Sequence, residues 1–217
     1  MPQDDDFAEE PIHGLAKKLP EGERILWQGA PTPLALARQA MGLTWILGYF
    51  AVLAVWRGGM VAYADGAAAG ALSALWYVVA GLAAGGVVLG LAWVLARTTV
   101  YTVTSARVVM RIGAALTVSL NLPLKDIASA ELGLARDGTG SIHLALKGDT
   151  RVAYLVLWPH ARPWRLARPE PTLRAIPDAA HVARLLGQAA EARVGAVAGE
   201  ILEPAPQAAA PAPIPAE

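Results

Sequence analysis

The chain has 217 residues, of which 55% are hydrophobic, and its mean hydropathy is +0.40. This apolar content is high for a water-soluble protein and is typical of a membrane protein. Cysteine is absent, which excludes a disulfide scaffold, a Cys-ligated metal or iron–sulfur site and a thiol nucleophile. The 18 Lys and Arg residues balance the 18 Asp and Glu residues, so the net charge gives no reason to expect nucleic acid as a partner.

Residues 1–40 are predicted to form an acidic N-terminal cytoplasmic segment. Residues 1–24 carry seven acidic and three basic side chains and contain no apolar run. A secretory signal peptide requires a basic start and an apolar centre, so none is predicted here. The acidic side chains between residues 4 and 23 either dock a partner or form a solvated end, and the solvated end is the preferred interpretation.

Two apolar stretches are long enough to cross a membrane. Residues 71–96 read ALSALWYVVAGLAAGGVVLGLAWVLA without a charge. At about 1.5 Å per residue, a helix of this length reaches roughly 39 Å, more than the ~30 Å hydrocarbon core requires. Residues 41–63 read MGLTWILGYFAVLAVWRGGMVAY, which Arg57 interrupts. A buried amphipathic segment is the alternative there, but we favour a first transmembrane helix whose Arg57 reaches the headgroups.

A short connection joins the two spans, which predicts a helical hairpin with both termini on one side. Four Lys or Arg residues precede the first span, one lies at the connection, and thirteen follow the second span. The positive-inside rule therefore places both termini in the cytoplasm. We expect a multi-pass protein of the cytoplasmic (inner) membrane.

Glycine pairs in the second span are candidate helix-packing positions. Gly81 and Gly85 form one small-xxx-small pair, and Gly86 and Gly90 form another on roughly the opposite face. Such pairs permit close contact between helices, although an alanine- and glycine-rich composition explains them equally well. The hypothesis they suggest is that one pair packs on the first span and the other on a second copy, as a homodimer.

Residues 97–195 are predicted to form a β-rich domain with a terminal helix. In TTVYTVTSARVVMRIG, apolar residues alternate with period two on both sides of a turn, as expected for two strands. Residues 122–158 supply at least three more strands, the last ending near Leu157. Asp178 then precedes an amphipathic helix with Val182, Leu185, Leu186 and Ala189 on one face. This order predicts a small barrel or sandwich with a helix over one open edge. The Pro/Ala-rich tail at 203–217 is predicted to be disordered.

Several stretches resemble bacterial pleckstrin-homology-like (PH-like) membrane proteins, namely EGERILWQGAP before the first span, and VYTVTSARVVMRIG and LPLKDIASAEL after the second. More narrowly, LVLWPHARPWRLARPEPTLRAIPDAAHVARLL together with HGL…LPEGERILWQG resembles the PuhB-type photosynthetic complex assembly proteins of purple bacteria and their relatives. The resemblance covers nearly the whole chain except the Pro/Ala tail. It implies a PH-like fold and a non-enzymatic role in assembling the photosynthetic reaction centre. The implied partner is a reaction-centre subunit, most simply the H subunit, and self-association is also implied.

The residue patterns of common catalytic and cofactor sites are absent. The sequence contains no GxxxxGK[ST], no GxGxxG after a strand and no HExxH, so phosphate-binding loops and a zinc protease site are not predicted. The four histidines are scattered, and no serine lies in an elbow motif. Neither span contains a histidine, the usual ligand of bacteriochlorophyll magnesium, which disfavours an antenna role. We therefore predict no catalytic residue, no metal and no cofactor.

The most distinctive local sequence is WPHARPWRLARPEP at residues 158–171. Its prolines predict an extended connection rather than a helix. Its tryptophans either pack on the domain while the arginines stay solvated, or the strip docks on an acidic protein surface, or it binds anionic headgroups. The candidate partner-binding residues are Trp158, Arg162, Trp164, Arg165 and Arg168.

Two functional classes follow from the sequence. In the first, the chain is an assembly factor that binds reaction-centre polypeptide at the membrane. In the second, it is a generic membrane-anchored PH-like module that binds anionic lipid or scaffolds its own oligomer.

Overall fold

The computed structural model describes residues 19–113, 117–148 and 153–202. Two apolar helices are followed by a β-rich domain and a C-terminal helix, so the predicted fold class is confirmed. The predicted tail at 203–217 and residues 1–18 of the acidic segment lie outside the described residues. The elements in chain order are β1 (Ile25–Gly29), α1 (Pro33–Gln39), α2 (Leu43–Asp65), α3 (Ala67–Thr98), β2 (Val100–Thr104), β3 (Arg107–Ile112), β4 (Val118–Pro123), β5 (Ile127–Leu134), β6 (Thr139–Leu146), α4 (Tyr154–Leu157), β7 (Thr172–Pro177) and α5 (Ala179–Leu202).

Helices α2 and α3 form an antiparallel hairpin that is apolar on its outside. Each is long and apolar enough to cross a membrane, and only 11% and 17% of their most apolar windows are buried inside the protein. A core helix of a soluble protein would be mostly buried, so these helices are not of that kind. Gly66 joins the two helices with a φ of +94°, a conformation that favours glycine.

Small residues bring the two helices together near the connection. A Cβ atom added at Gly70 would lie 2.6 Å from the carbonyl oxygen of Gly58, and one added at Gly58 would lie 2.8 Å from Cβ of Ala74. Two backbones can approach this closely only where side chains are absent or very short.

The domain consists of two antiparallel sheets, with strand orders β1-β2-β3-β4 and β5-β6-β7. Strands β2 and β3 pair as predicted, with Tyr101 opposite Met110 and Val103 opposite Val108. All four of these side chains are fully buried. They belong to one core that includes residues of both sheets and of α5, where Val182, Leu186 and Ala189 face inward as predicted.

The first strand extends the domain beyond the predicted bounds. β1 pairs with β2, Trp27 lying opposite Val103, so residues 25–29 of the predicted N-terminal segment 1–40 belong to the β domain predicted at 97–195. A five-residue strand next to an apolar hairpin has too little periodicity to be detected without its partner strand.

The prediction of a strand that ends near Leu157 is wrong. Tyr154–Leu157 is a short helix, and the third strand of the second sheet is instead Thr172–Pro177. A run of four apolar residues does not distinguish a strand from a helical turn. Five of the six β7 residues are buried, and such a strand lacks the alternation that reveals half-buried strands. Asp178 directly precedes α5, as predicted, and its carbonyl oxygen accepts the N–H of Val182.

Candidate partner-binding surface

Residues 158–171 form a closed loop. Ala161 and Pro171 form an antiparallel bridge. The N–H of Arg162 donates to the carbonyl oxygen of Glu170 at 3.0 Å, and the N–H of Thr172 donates to that of His160 at 2.8 Å. The chain therefore leaves the domain and returns at almost the same place. The predicted extended connection is in fact a projecting loop, which we call the Trp loop.

The apolar side chains of the Trp loop are largely exposed. The exposed fraction is 94% for Trp164, 67% for Leu166 and 48% for Trp158. Trp164 therefore does not pack on the domain, and its exposure removes the first of the three interpretations for that residue. Exposed aromatic and aliphatic side chains grouped on one loop are characteristic of a contact surface.

The loop arginines are partly engaged within the chain. Nη1 of Arg162 lies 2.9 Å from carboxylate oxygens of both Glu131 and Glu170, and Nε of Arg165 lies 3.7 Å from Glu170. The hydrogen bond with Glu170 raises the pKa of Arg162. Arg168 is exposed. Arg162 and Arg165 thus hold the shape of the loop, which leaves less uncompensated charge for an acidic partner than the sequence indicated.

A buried histidine lies at the base of the Trp loop. His160 is 1% exposed; its Nδ1 lies 2.6 Å from the hydroxyl oxygen of Tyr101 and its Nε2 lies 3.3 Å from that of Thr99. Burial, reinforced by the positive charge of Arg174, lowers the pKa of His160 to about 3. The imidazole is therefore neutral at physiological pH, which suits its two hydroxyl partners.

Arg174 of β7 connects the Trp loop to the hairpin. Its Nη1 donates to the carbonyl oxygens of Pro159 and Ala161 at 3.2 and 3.4 Å, and its Nη2 donates to that of Gln39 at 3.0 Å. The side chain is nearly buried, and its Nε has no hydrogen-bond partner among the described residues. Burial lowers the pKa of Arg174. Gln39 ends α1, shortly before α2 begins, so this guanidinium fixes the loop base beside the start of the hairpin.

The loop base is therefore bonded to both ends of the hairpin. His160 contacts Thr99, which directly follows α3, and Arg174 reaches Gln39, which lies just before α2. Sequence reasoning missed both His160 and Arg174, because one buried polar side chain in a short strand or loop leaves no periodic pattern.

The glycines of α3 face two directions. A Cβ atom added at Gly81 would lie 2.7 Å from Cβ of Phe50 on α2, and one added at Gly85 would lie 3.0 Å from Cδ2 of Leu47. Added Cβ atoms at Gly86 and Gly90 would meet nothing within 4 Å. The first pair thus contacts the partner helix and the second faces outward, which is the arrangement that the dimer hypothesis requires.

Comparison with known proteins identifies the family. The bacterial PH domain family matches residues 40–190. The chain belongs to the bacterial PH domain family. The match includes both hairpin helices and most of the domain, and it confirms the resemblance to bacterial PH-like proteins.

A relative of this bacterial PH domain protein occurs in Rhodobacter capsulatus. It is 44% identical over 193 residues, which are 88% of this chain and 90% of the relative. It is described as an uncharacterized 23.7 kDa protein in the puhA 5′ region. No solved structure matches the chain significantly.

The side chains that this bacterial PH domain brings together on the Trp loop are suited to contact. Indole rings and guanidinium groups are the residue types that most often anchor interfaces. Among the described residues, no group of three His, Asp or Glu side chains could hold a metal ion.

Proposed function

We propose that this protein is a non-enzymatic assembly factor of the photosynthetic reaction centre, of the PuhB type. The observation that carries the proposal is the relative in the puhA 5′ region, which is 44% identical over 88% of this chain. puhA is a gene of the reaction-centre operon, and proteins encoded beside the genes of a complex commonly serve that complex. The residues that resemble PuhB-type proteins include the Trp loop and the start of α5.

In this proposal the hairpin spans the cytoplasmic membrane and the β domain lies in the cytoplasm. The exposed apolar surfaces of α2 and α3 support a lipid environment, because such surfaces are unfavourable in water. The excess of Lys and Arg outside the hairpin connection supports cytoplasmic termini. Arg174 holds the domain against the hairpin, so the domain remains close to the membrane surface.

The proposed client is reaction-centre polypeptide, most simply the H subunit. A membrane subunit that awaits its partners exposes both helix faces in the bilayer and polar surface at its cytoplasmic end. A hairpin with a domain fixed at its cytoplasmic end presents a complementary apolar surface within the bilayer and a complementary polar surface in the cytoplasm. The protein would act by holding these surfaces until the subunits associate, without a cofactor.

Deletion of the gene in a photosynthetic host that carries it tests this proposal. We expect membranes with less assembled reaction centre, measured by near-infrared absorbance and by the amount of H subunit, and recovery when the gene is supplied in trans. The puhA transcript must be measured in parallel, because a polar effect on that gene would imitate the phenotype. Unchanged reaction-centre levels at an unchanged transcript level would contradict the assembly role.

The second candidate is a generic PH-like membrane module that scaffolds its own oligomer or binds anionic lipid. The observation that favours self-association is the outward face of α3 at Gly86 and Gly90. Valine at both positions should weaken self-association if this face joins two copies. Valine at Gly48, a helical glycine of α2 that also has open space beside it, is the matched control.

A further inference from the structure

The exposed large hydrophobic side chains of the domain are concentrated on three segments. Outside α2 and α3, the described residues include seven such side chains, and all except Ile25 lie on α1, on the end of β5 or on the Trp loop. These six are Leu34, Leu132, Leu134, Trp158, Trp164 and Leu166. A uniform scatter of apolar residues would need no explanation, but a concentration of them does.

Hydrogen bonds place all three segments near the ends of the hairpin. Gln39, the last residue of α1, donates from Nε2 to the hydroxyl of Thr139 at 2.8 Å, directly across the turn from the end of β5. The carbonyl oxygen of Gln39 accepts from Arg174, which also binds the Trp loop. His160 of the loop contacts Thr99 at the end of α3. The exposed apolar groups therefore surround the points where the chain begins α2 and leaves α3.

The end of α3 has the features of a membrane boundary. The guanidinium of Arg97 lies 5.0 Å from the ring centroid of Trp93. A tryptophan followed by an arginine at the end of an apolar helix is typical of the headgroup level, where the ring and the charge both find favourable surroundings. Thr99, and with it the base of the Trp loop, follows within one turn.

We propose that these three segments form a lipid-facing collar around the cytoplasmic end of the hairpin, in which Leu34, Leu132, Leu134, Trp158, Trp164 and Leu166 contact the headgroups and outer acyl chains of the membrane. This inference rests on the proposed function, in which the hairpin spans the membrane. Indole and leucine side chains are well suited to this region of a bilayer.

Lipid is a better fit than an acidic protein surface for two reasons. The collar adjoins the ends of the apolar hairpin, because His160 contacts Thr99 and Arg174 reaches Gln39, so one bilayer can contact both. Two of the three loop arginines have acidic partners within the chain, because Glu170 and Glu131 engage Arg162 and Glu170 also lies beside Arg165. Apolar contact therefore dominates, and the collar should bind a zwitterionic bilayer nearly as well as an anionic one.

Site-directed spin labelling of the full chain tests the collar directly. The natural chain contains no cysteine, so Trp164→Cys and Leu134→Cys each introduce a single label site at an exposed position. Leu82→Cys on the outer face of α3 is the membrane reference. Lys125→Cys is the water reference, because it is exposed and lies near the β2–β3 turn, at the end of β2 that points away from Thr99. The labelled proteins are placed in phosphatidylcholine nanodiscs, and accessibility to oxygen and to a water-soluble nickel complex is measured.

We expect labels at 164 and 134 to be less accessible to nickel than the label at 125 but more accessible than the label at 82, because the collar lies at the headgroups and outer acyl chains whereas Leu82 lies at the middle of α3. Nickel accessibility at 164 and 134 equal to that at 125, with 82 still protected, would overturn the collar while leaving the membrane hairpin intact. The surface would then be available to a protein. If the label at 82 were also accessible to nickel, the hairpin would not span the membrane, and both proposals would fail.

Discussion

Replacing Gly70 with alanine should loosen the hairpin, although it adds a single carbon atom. The added Cβ would meet Cβ of Ala62 and would lie 2.6 Å from the carbonyl oxygen of Gly58, so the two backbones must separate by roughly 1 Å to reach ordinary contacts. This oxygen is backbone and cannot rotate away. Overpacking of this kind typically costs about 1–3 kcal/mol. Gly59→Ala is the matched control, because it lies at the same level of the hairpin with nothing within 4 Å of its added Cβ.

The separation of the two helices can be followed by energy transfer between fluorophores. Val52 and Leu82 are both about two-thirds exposed, and because the chain lacks cysteine, Val52→Cys with Leu82→Cys gives one label site on each helix. In mild-detergent micelles titrated with dodecyl sulfate, Gly70→Ala should lose energy transfer at a lower dodecyl sulfate fraction than Gly59→Ala. Coincident transitions for the two variants would refute the close approach at Gly58 and Gly70.

Three further predictions concern the domain. Tyr101→Phe leaves Nδ1 of His160 and the N–H of Arg174 without their hydroxyl partner, so thermal unfolding should show a loss of about 1–3 kcal/mol. The pKa of His160 falls from 6.5 to about 3 on folding. Between these pH values the unfolded chain therefore binds a proton that the folded chain does not. The stability from this group is complete above about pH 6.5 and is lost on acidification at about 1.4 kcal/mol per pH unit. Denaturant unfolding at pH 7.5 and 5 should therefore differ by about 2 kcal/mol, and His160→Gln should reduce that difference. Finally, Nη2 of Arg107 donates a hydrogen bond to Oε2 of Glu23 at 2.6 Å, and this bond lowers the pKa of Glu23. Glu23→Gln should lower the melting temperature at pH 7 more than Glu21→Gln does, and equal effects of the two would contradict a structural role for the ion pair. This difference should shrink as pH falls below the ordinary glutamate pKa.

Elements with a strong internal period were predictable from the sequence. The uncharged run at 71–96 lies within α3, and the alternation around the turn at Ser105 corresponds to β2 and β3. In both cases the side chains meet the same surroundings at a regular interval, over the whole length of the helix and at every second residue of the strands. The sequence therefore shows a regular pattern. The missed elements lack such repetition. β1 is short, and β7 is buried on nearly every residue, so neither shows alternation.

The candidate surface was only partly predictable. The composition of residues 158–171 indicated a contact strip, and the structure exposes Trp164 and Leu166. The sequence could not show that Glu131, distant in the chain, lies beside Arg162, nor that Arg174 joins the loop to Gln39. These contacts depend on how the two sheets and the hairpin meet, and no local pattern contains that information.

The measurement that tests the assembly role most directly is a pull-down of the tagged full chain from mild-detergent extracts of photosynthetically grown cells, followed by mass spectrometry and absorption of the eluate. We expect reaction-centre subunits, with the H subunit among them, well above the amount recovered with an unrelated tagged membrane protein. The variant in which Arg162, Arg165 and Arg168 are all alanine, compared in the same experiment, reports whether the loop arginines take part. Recovery of only the chain itself and lipid would contradict the assembly role and favour the generic membrane module.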